Sequence, residues 1–524
     1  MNPESIDWPR SQPVLWCLAS LGLTPIIYVH LSCALWPVDD AFITFRYVDN
    51  FIAGKGLVYN DGERVFGVTT PMYVVWLSLL RVVAPQFDVV SLSIRANVIP
   101  YCFFVIAMWK TASKLGIGSA VSLLLAFVLA YHPRFITVSL SGMETFLFLA
   151  LCLWSLFFAL NRQWLAGGVC ASLAALARPE GVFVVAATVA HCLWVDRRAL
   201  KKQIVIPLVL LLWVIPSWIY YGSPIPNSVV AKAAPLYPLP FGYSFWLMMD
   251  YFERIFWLGL PSGVFGISPF IGGLLVLPLA ALALRGWSGD SFRSFFPVVS
   301  SSAMILLFYV AANPLIMSWY WPIIGLNFLV LTVFGLTFLW REKKWIWNAW
   351  MQSFVGLMVI IWLVCSWTAI VPEWREFKDV ARGRNDALRR VLTYRDAALW
   401  LNENRADKRV AAPEIGALGY YFRGSILDVC GLVSPEAIPY LPVPLSERKF
   451  PKDGVIGRQI VFDLAPELIV TMEIFARRSL LNSRRFFREY QLIKKFELMA
   501  PLWGSRHVLV FERRQGLGVD SKEK

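Results

Sequence analysis

The sequence contains two adjacent carboxylates, Asp39 and Asp40, near the start of the segment WPVDDAFITFRYVDNFIAGKGLVYNDGERVFG (residues 36–67). Neighbouring carboxylates repel each other, which raises the pKa of one of them toward a range useful for proton transfer. Such a base can deprotonate an acceptor hydroxyl, roughly a 10²–10⁴-fold effect on rate. Arg46 follows in the same segment, and its guanidinium can bind a phosphate in a bidentate manner. The segment therefore indicates base catalysis beside a charged group, and a helix cap or a solvated loop is the structural alternative.

Further polar residues occur in short motifs between apolar runs. They are Arg134 and Glu144 in HPRFITVSLSGMETF, Arg178 and Glu180 in LARPEG, Asn227 and Lys232 in YYGSPIPNSVVAK, and Asn313, Trp319 and Tyr320 in NPLIMSWYW. A charge inside hydrocarbon is costly, so polar residues at a membrane boundary mark candidate sites. Arg178 can instead end a helix and pair with Glu144 or Glu180. Lys232 can instead extend to the membrane interface, and Tyr320 is typical of an aromatic belt.

These motifs must be positioned by membrane-spanning helices, because the chain is strongly apolar. Of its 524 residues, 57% are hydrophobic and 16% are charged, and the mean hydropathy is +0.58. A soluble protein has about 45–50% apolar and about 25% charged residues. Runs of roughly 20 apolar residues recur before residue 372, which predicts a polytopic α-helical membrane protein.

The apolar runs predict eleven spans, a cytoplasmic N-terminus and a first span that is not cleaved as a signal peptide. The spans lie at about 14–36, 97–112, 118–132, 143–160, 164–177, 181–195, 203–221, 262–285, 295–312, 319–340 and 346–371. The segment 70–84 is too short to cross. If it lies at the outer interface, every short basic turn falls on the cytoplasmic side, as the positive-inside rule requires. Residues 37–96 then form a long first outer loop.

The composition changes after residue 372, where charges become frequent and apolar runs become short. An amphipathic helix is expected at 394–406. The strand-like runs are KRVAAPEIGALGYY, GSILDVCGL, ELIVTM and RHVLVFER. The sequence therefore predicts a transmembrane domain at 1–372 and a soluble α/β domain at 373–524 on the outer face.

Composition also argues against several kinds of ligand. The net charge of +14 fits basic turns beside anionic lipid, so the lipid bilayer is an expected partner and nucleic acid is not. The eight cysteines show neither a disulfide framework nor zinc spacing, and the four histidines are scattered. Two acidic residues can hold Mg²⁺ or Ca²⁺. Because Arg and Lys can neutralise a phosphate here, no metal and no other cofactor is expected.

The predicted topology places all the candidate side chains on the outer side of the membrane. This arrangement suits a lipid-phosphate-linked sugar, whose sugar and phosphate lie at the membrane surface. Asp39 or Asp40 would take the acceptor proton. Arg46, Arg178 and Lys232 would stabilise the charge that develops on the departing phosphate. A transporter for such a lipid is the non-enzymatic alternative, but paired inverted repeats, which many transporters contain, are not seen in the sequence.

The segment DDAFITFRYVDNFIAGKGLVYNDGERVFGVTTP resembles the first outer loop of a branch of the GT-C membrane glycosyltransferases. That branch includes the mycobacterial terminal arabinofuranosyltransferase. Four later segments of the chain resemble further blocks of that branch, in the same order. They are SGMETFLF, ALARPEG, YYGSPIPNSVVAK and GALGYYFRGSILDVCGLVSPE. The resemblance implies a GT-C fold, an inverting transfer and a polyprenyl-phosphate sugar as donor.

The resemblance also assigns the base to the acidic residue that begins the first outer loop, either Asp39 or Asp40. Glu144 matches the acidic position of the second-loop motif. The full set expected around the donor phosphate and sugar is Arg46, Glu144, Arg178, Lys232 and Tyr320. Relatives often read GYTN and SGLE where this chain has GVTT and SGME, which leaves the sugar open.

The expected enzyme transfers arabinofuranose to a cell-envelope glycan, a lipid-glycan or a surface protein at the bacterial inner membrane, with the C-terminal domain in the periplasm. The same chemistry would also allow mannose or glucose transfer to protein, or aminoarabinose transfer to lipid A.

Overall fold

The computed structural model describes residues 8–32, 37–233, 239–256, 290–342, 386–448 and 455–514. Contacts divide the chain into two compact units, each built from separate stretches of sequence. The first unit is Met1–Leu35, Ser93–Leu211 and Gly242–Ala381; the second is Trp36–Leu92, Leu212–Phe241 and Arg382–Lys524. The predicted first outer loop therefore belongs to the same unit as the C-terminal residues. The predicted domain boundary after residue 372 lies outside the described residues and stays a prediction.

The described helices and strands are numbered here in chain order. The helices are α1 (Trp8–Ser32), α2 (Asp39–Ile52), α3 (Pro71–Val83), α4 (Val89–Arg95), α5 (Val98–Lys114), α6 (Ser119–Ala130), α7 (Pro133–Ser139), α8 (Thr145–Leu160), α9 (Trp164–Ala177), α10 (Gly181–Val195), α11 (Val205–Tyr221), α12 (Asn227–Ala233), α13 (Tyr243–Phe256), α14 (Asp290–Ala312), α15 (Trp321–Glu342), α16 (Asp386–Asn404), α17 (Gly416–Tyr421), α18 (Arg458–Leu464), α19 (Glu473–Ala476) and α20 (Arg484–Glu489). The strands are β1 (Val410–Ala412), β2 (Ile426–Asp428), β3 (Leu468–Met472), β4 (Tyr490–Leu502) and β5 (Ser505–Arg513).

Several of these helices are long and apolar enough to cross a membrane. Among the described residues they are Gln12–Ser32, Val89–Lys114, Arg197–Tyr221 and Phe295–Ala312, and the pair α6 and α7, bent by 67°, adds a fifth if it is one span. By length and composition the chain is thus a multi-pass membrane protein. The predicted spans 262–285 and 346–371 lie outside the described residues, so the count of eleven stays a prediction.

In the first unit, neighbouring helices pack in sequence: α5 on α8, α8 on α9, α9 on α10, α10 on α14, and α14 on α15. The turn between α9 and α10 requires glycine, since a Cβ at Gly181 would lie 2.5 Å or less from backbone atoms of Ala174 and Ala175. The segment between the predicted spans 118–132 and 143–160 contains a short helix, Pro133–Ser139. Pro133 occupies the first helical turn, where the missing N–H costs nothing.

The second unit contains a mixed five-stranded sheet with the order β2-β1-β3-β5-β4. β1 pairs in parallel with β2 and β3, and β5 is antiparallel to β3 and β4. The chain passes from β1 through α17 to β2, and then through α18 to β3 on the opposite side of β1. The carboxyl ends of β1 and β3 therefore flank a topological switch point, the place where open α/β sheets bind ligands.

Each of the four predicted strand-like runs contains a strand. In the first run, KRVAAPEIGALGYY, only Val410–Ala412 is a strand. Its GALGYY part forms the helix α17. The physical reason is a close approach: a Cβ at Gly416 would lie 1.9 Å from the backbone oxygen of Asp39, so α17 packs directly on α2. The predicted helix 394–406 is longer than expected and spans Asp386–Asn404.

Candidate functional site

Asp39 is buried at the start of α2, where it contacts the first turn of α17. The side chain is acceptor to two backbone amides, with Oδ1 2.9 Å from the nitrogen of Ala417 and Oδ2 3.2 Å from that of Gly416. The residue is 6% exposed. Amides at a helix start have no intrahelical partner, and a carboxylate satisfies them. Asp39 thus holds α2 and α17 together, and both of its oxygens are engaged.

Arg46 lies two turns further along α2, where it binds the other end of α17. Its Nη1 donates to the carbonyls of Gly419 and Phe422, and its Nη2 donates to that of Gly424 at 2.8 Å. Its Nε donates to the carbonyl of Tyr59 at 2.7 Å. The residue is 8% exposed. Each guanidinium nitrogen thus donates to a backbone carbonyl, whereas the sequence led us to expect a contact between this guanidinium and a phosphate.

We expect Arg46→Lys to destabilise the protein by roughly 2–4 kcal/mol, because a lysine cannot reach several carbonyls at once and leaves buried acceptors unsatisfied. The thermal midpoint of the purified protein should fall, while donor affinity per folded molecule stays unchanged. Arg64→Lys is the matched control, since Arg64 is an exposed residue of the same segment. A weaker donor affinity with an unchanged midpoint would restore the phosphate role of Arg46.

A second cluster, not predicted from the sequence, lies beside the two aspartates. Glu414 follows the carboxyl end of β1, and its Oε1 is 2.5 Å from Nη1 of Arg390 on α16. Their side chains are 12% and 15% exposed. Asp39 and Asp40 lie within electrostatic range of both residues. One feature of the sequence could have indicated this cluster: Arg390 is a charged residue on the buried side of an otherwise amphipathic helix, α16.

The two adjacent aspartates differ in exposure. Asp39 is buried, whereas Asp40 is exposed and lies within electrostatic range of Arg390, Glu414 and Cys430. Asp40 is therefore the member of the pair that a ligand in solvent can reach. The cluster formed by Asp39, Asp40, Arg390 and Glu414 is called the carboxylate cluster below.

Burial raises the pKa of the Glu414 carboxyl to about 7, although the Arg390 guanidinium opposes the shift; the charge of Asp39 adds to it. The ordinary value is 4.5, so between these two pH values the folded protein binds more protons than the unfolded chain. The contribution of Glu414 to stability is therefore lost as the pH rises from about 4.5 to about 7.

We expect this loss to appear in thermal midpoints measured across that pH window. Relative to Glu414→Gln, the wild type should become progressively less stable from pH 4.5 to 7, and the difference should be constant above pH 7. Glu497→Gln, at an exposed position on β4, should follow the wild type throughout. Parallel curves for wild type and Glu414→Gln would contradict the assignment.

In the first unit, Arg178 lies at the turn between α9 and α10 and pairs with two carboxylates. It contacts Glu144 through Nη1 and Glu180 through Nη2 and Nε, the last two at 2.9 and 3.2 Å. Tyr309 donates to Glu180 at 2.5 Å, and the guanidinium carbon lies 4.5 Å from the ring centroid of Tyr320. The charged side chains are at most 5% exposed. Arg178 therefore forms the structural ion pair that the sequence analysis gave as the alternative to phosphate binding.

Asn227 and Lys232 lie on α12 in the second unit. The Asn227 side chain donates to the carbonyls of Gly431 and Leu432, at 2.7 and 3.2 Å, so two of the sequence motifs bind each other. Lys232 is exposed. Within the described ranges, no three His, Cys, Asp or Glu side chains form a cluster that could hold a metal ion.

Comparisons with known proteins add the following. A family model described as "Domain of unknown function (DUF8728)" matches residues 383–511, and no curated protein matches the sequence. Among solved structures, the oligosaccharyltransferase AglB from Archaeoglobus fulgidus is 12% identical, with a TM-score of 0.51 over 97% of this chain and 75% of that one.

The chain has the GT-C fold. At 12% identity the likeness to AglB defines the architecture alone. Two further GT-C proteins are also similar: the mycobacterial arabinofuranosyltransferase AftD (14% identity, TM-score 0.44, 96% of this chain) and ArnT from Cupriavidus metallidurans (11%, 0.48, 95%). This chain spans 41% of the length of AftD and 98% of that of ArnT.

Proposed function

We propose that the chain is an inverting glycosyltransferase that moves a sugar from a polyprenyl-phosphate donor to an acceptor hydroxyl. The observation that carries the proposal is the carboxylate cluster, in which Asp40 is exposed and its neighbour Asp39 is held by two backbone amides. The GT-C fold supports it, and the structure of AglB is described as a complex with dolichol-phosphate, itself a polyprenyl phosphate.

In the proposed reaction Asp40 is the general base. The acceptor oxygen attacks the anomeric carbon from the side opposite the phosphate, and its proton passes to the Asp40 carboxylate. The bond between the anomeric carbon and the phosphate oxygen breaks, and polyprenyl phosphate leaves with the electron pair. Attack from the opposite side inverts the anomeric configuration. Lys232 is an exposed cation of the same unit and is the candidate partner of the departing phosphate.

The sugar proposed is arabinofuranose, because the resemblance in sequence runs through the first outer loop and four later motifs of the arabinofuranosyltransferase branch. The acceptor proposed is a cell-envelope glycan or a surface protein. The site would face outward from the bacterial inner membrane, and the distribution of basic turns in the sequence supports that orientation.

The test is transfer from synthetic polyprenyl-phosphate arabinose, mannose and glucose to envelope extract, with the full-length protein purified in detergent. Release of polyprenyl phosphate from the arabinose donor is the expected result, and adding EDTA should leave it unchanged. Release from another donor would keep the mechanism and correct the sugar. No release from any donor would favour a transporter of lipid-linked sugars.

A further inference from the structure

The turn between β4 and β5 carries an exposed tryptophan at a costly backbone position. Leu502 pairs with Ser505, so Trp503 and Gly504 form a two-residue turn with φ values of 50° and 80°. Such turns favour Asn-Gly, and a bulky side chain at positive φ costs roughly 1–2 kcal/mol. Trp503 is 56% exposed, so more than half of its surface remains open to a ligand.

The turn is held in place by α19 and by Arg477, the residue that follows this helix. The amide of Ile474 donates to Oγ of Ser505 at 2.8 Å, and Nη2 of Arg477 donates to the carbonyl of Gly504 at 2.5 Å. The ring of Trp503 is therefore presented from a fixed backbone, which lowers the entropy lost when a ligand binds to it.

The ring lies next to the carboxylate cluster. The guanidinium carbon of Arg390 is 5.0 Å from the ring centroid of Trp503, and the same Arg390 pairs with Glu414. Glu414 in turn lies within electrostatic range of Asp40. Within the described ranges, Nε of Arg390 is buried and has no hydrogen-bond partner, and the Glu414 carboxyl also interacts with the Tyr394 hydroxyl.

The sheet topology explains why these residues meet. Glu414 lies two residues beyond the end of β1, and the turn at Trp503 precedes β5, whose register against β3 pairs Val508 with Met472. Both features therefore lie at the edge formed by the carboxyl ends of β1 and β3. That edge is the switch point of the sheet, where this class of fold binds ligands.

A sugar ring fits this combination of groups. Its C–H face is apolar and can stack on an aromatic ring, while its hydroxyls can accept from the Arg390 guanidinium and donate to the Glu414 carboxylate, whose side chains are 15% and 12% exposed. We propose that Trp503 is the stacking platform of an acceptor-sugar subsite, with Arg390 and Glu414 as its polar partners beside Asp40. This inference rests on the proposed function and adds to it that the acceptor is a glycan.

The test uses Trp503→Asn, which suits the turn better than tryptophan does and so separates ligand binding from folding. With the full-length enzyme and a short arabinose oligosaccharide as acceptor, we expect the acceptor KM to rise about tenfold or more. The thermal midpoint should stay close to that of the wild type, because the better fit of Asn to the turn opposes the loss of ring contacts, and donor affinity should not change. Trp503→Phe should retain most of the acceptor affinity. Met499→Asn, at an exposed position on β4, the strand that leads into this turn (70% exposed), should behave as wild type.

A binding measurement distinguishes failure of this inference from failure of the proposed function. Saturation-transfer NMR with methyl arabinofuranoside, mannoside and glucoside, on the full-length protein, requires no turnover. A signal that is lost in Trp503→Asn supports the subsite even if no donor is consumed. Equal signals or equal KM values in both proteins overturn it. An absence of sugar binding by the wild type, or equal use of peptide acceptors by both proteins, also overturns it.

Discussion

Replacing Asp40 with Asn is expected to lower the transfer rate roughly 10²–10⁴-fold, the usual contribution of a positioned general base. An amide of the same size cannot accept the acceptor proton, but it preserves the start of α2. The protein should therefore keep its thermal midpoint and its affinity for donor. The measurement is the initial rate of polyprenyl phosphate release by purified wild type and variant at saturating donor.

Asp39→Asn serves as the contrasting variant, because it disturbs structure as well as charge. The asparagine retains one acceptor oxygen where Asp39 uses two, so we expect both the thermal midpoint and the rate to fall. Asp61→Asn is the matched control within the same loop, since Asp61 is 68% exposed and pairs with the half-exposed Lys55. A folded Asp39→Asn without activity, together with an active Asp40→Asn, would transfer the base to Asp39.

Replacing Arg178 with Met is expected to destabilise the protein by about 3–5 kcal/mol, because it leaves two buried carboxylates without a counter-charge. Glu144 and Glu180 both contact this one guanidinium, and their side chains are 3% and 5% exposed. The measurement is the unfolding midpoint of the detergent-purified protein at a fixed scan rate. Because unfolding of membrane proteins is often irreversible, midpoints are compared only at that rate.

A triple variant tests whether charge is the cause. With Glu144→Gln and Glu180→Gln added to Arg178→Met, none of these three positions carries a buried charge, and much of the lost stability should return. Arg162→Met is the matched control, since Arg162 is exposed and surface substitutions of this kind change stability by less than about 0.5 kcal/mol. A single Arg178→Met variant with wild-type stability but weakened donor affinity would instead support the phosphate-binding role expected from the sequence.

Hydrophobic periodicity was enough to find several of the described apolar helices. The predicted spans 203–221 and 295–312 lie within helices long and apolar enough to cross a membrane. The predicted spans 164–177 and 181–195 coincide with α9 and α10, which are shorter apolar helices. The C-terminal α/β character was also predictable, since the buried strands β1, β2, β3 and β5 lie within the apolar runs found in the sequence. The strand β4 was missed because it is an edge strand with both faces partly exposed. Its charged residues Lys494, Lys495 and Glu497 interrupt the alternation of apolar and polar residues that indicates a strand.

The sequence by itself therefore determined the class of the protein, the position of its polar motifs and the chemistry that adjacent carboxylates allow. Only the tertiary structure decided how those polar groups are used. Arg46 and Asp39 bind the two ends of α17, more than 370 residues away along the chain, and Arg390 and Glu414 join the carboxylates from α16 and β1. The physical reason is that a side chain's role depends on which donors and acceptors surround it, and for these residues the partners come from distant segments that no local pattern reports.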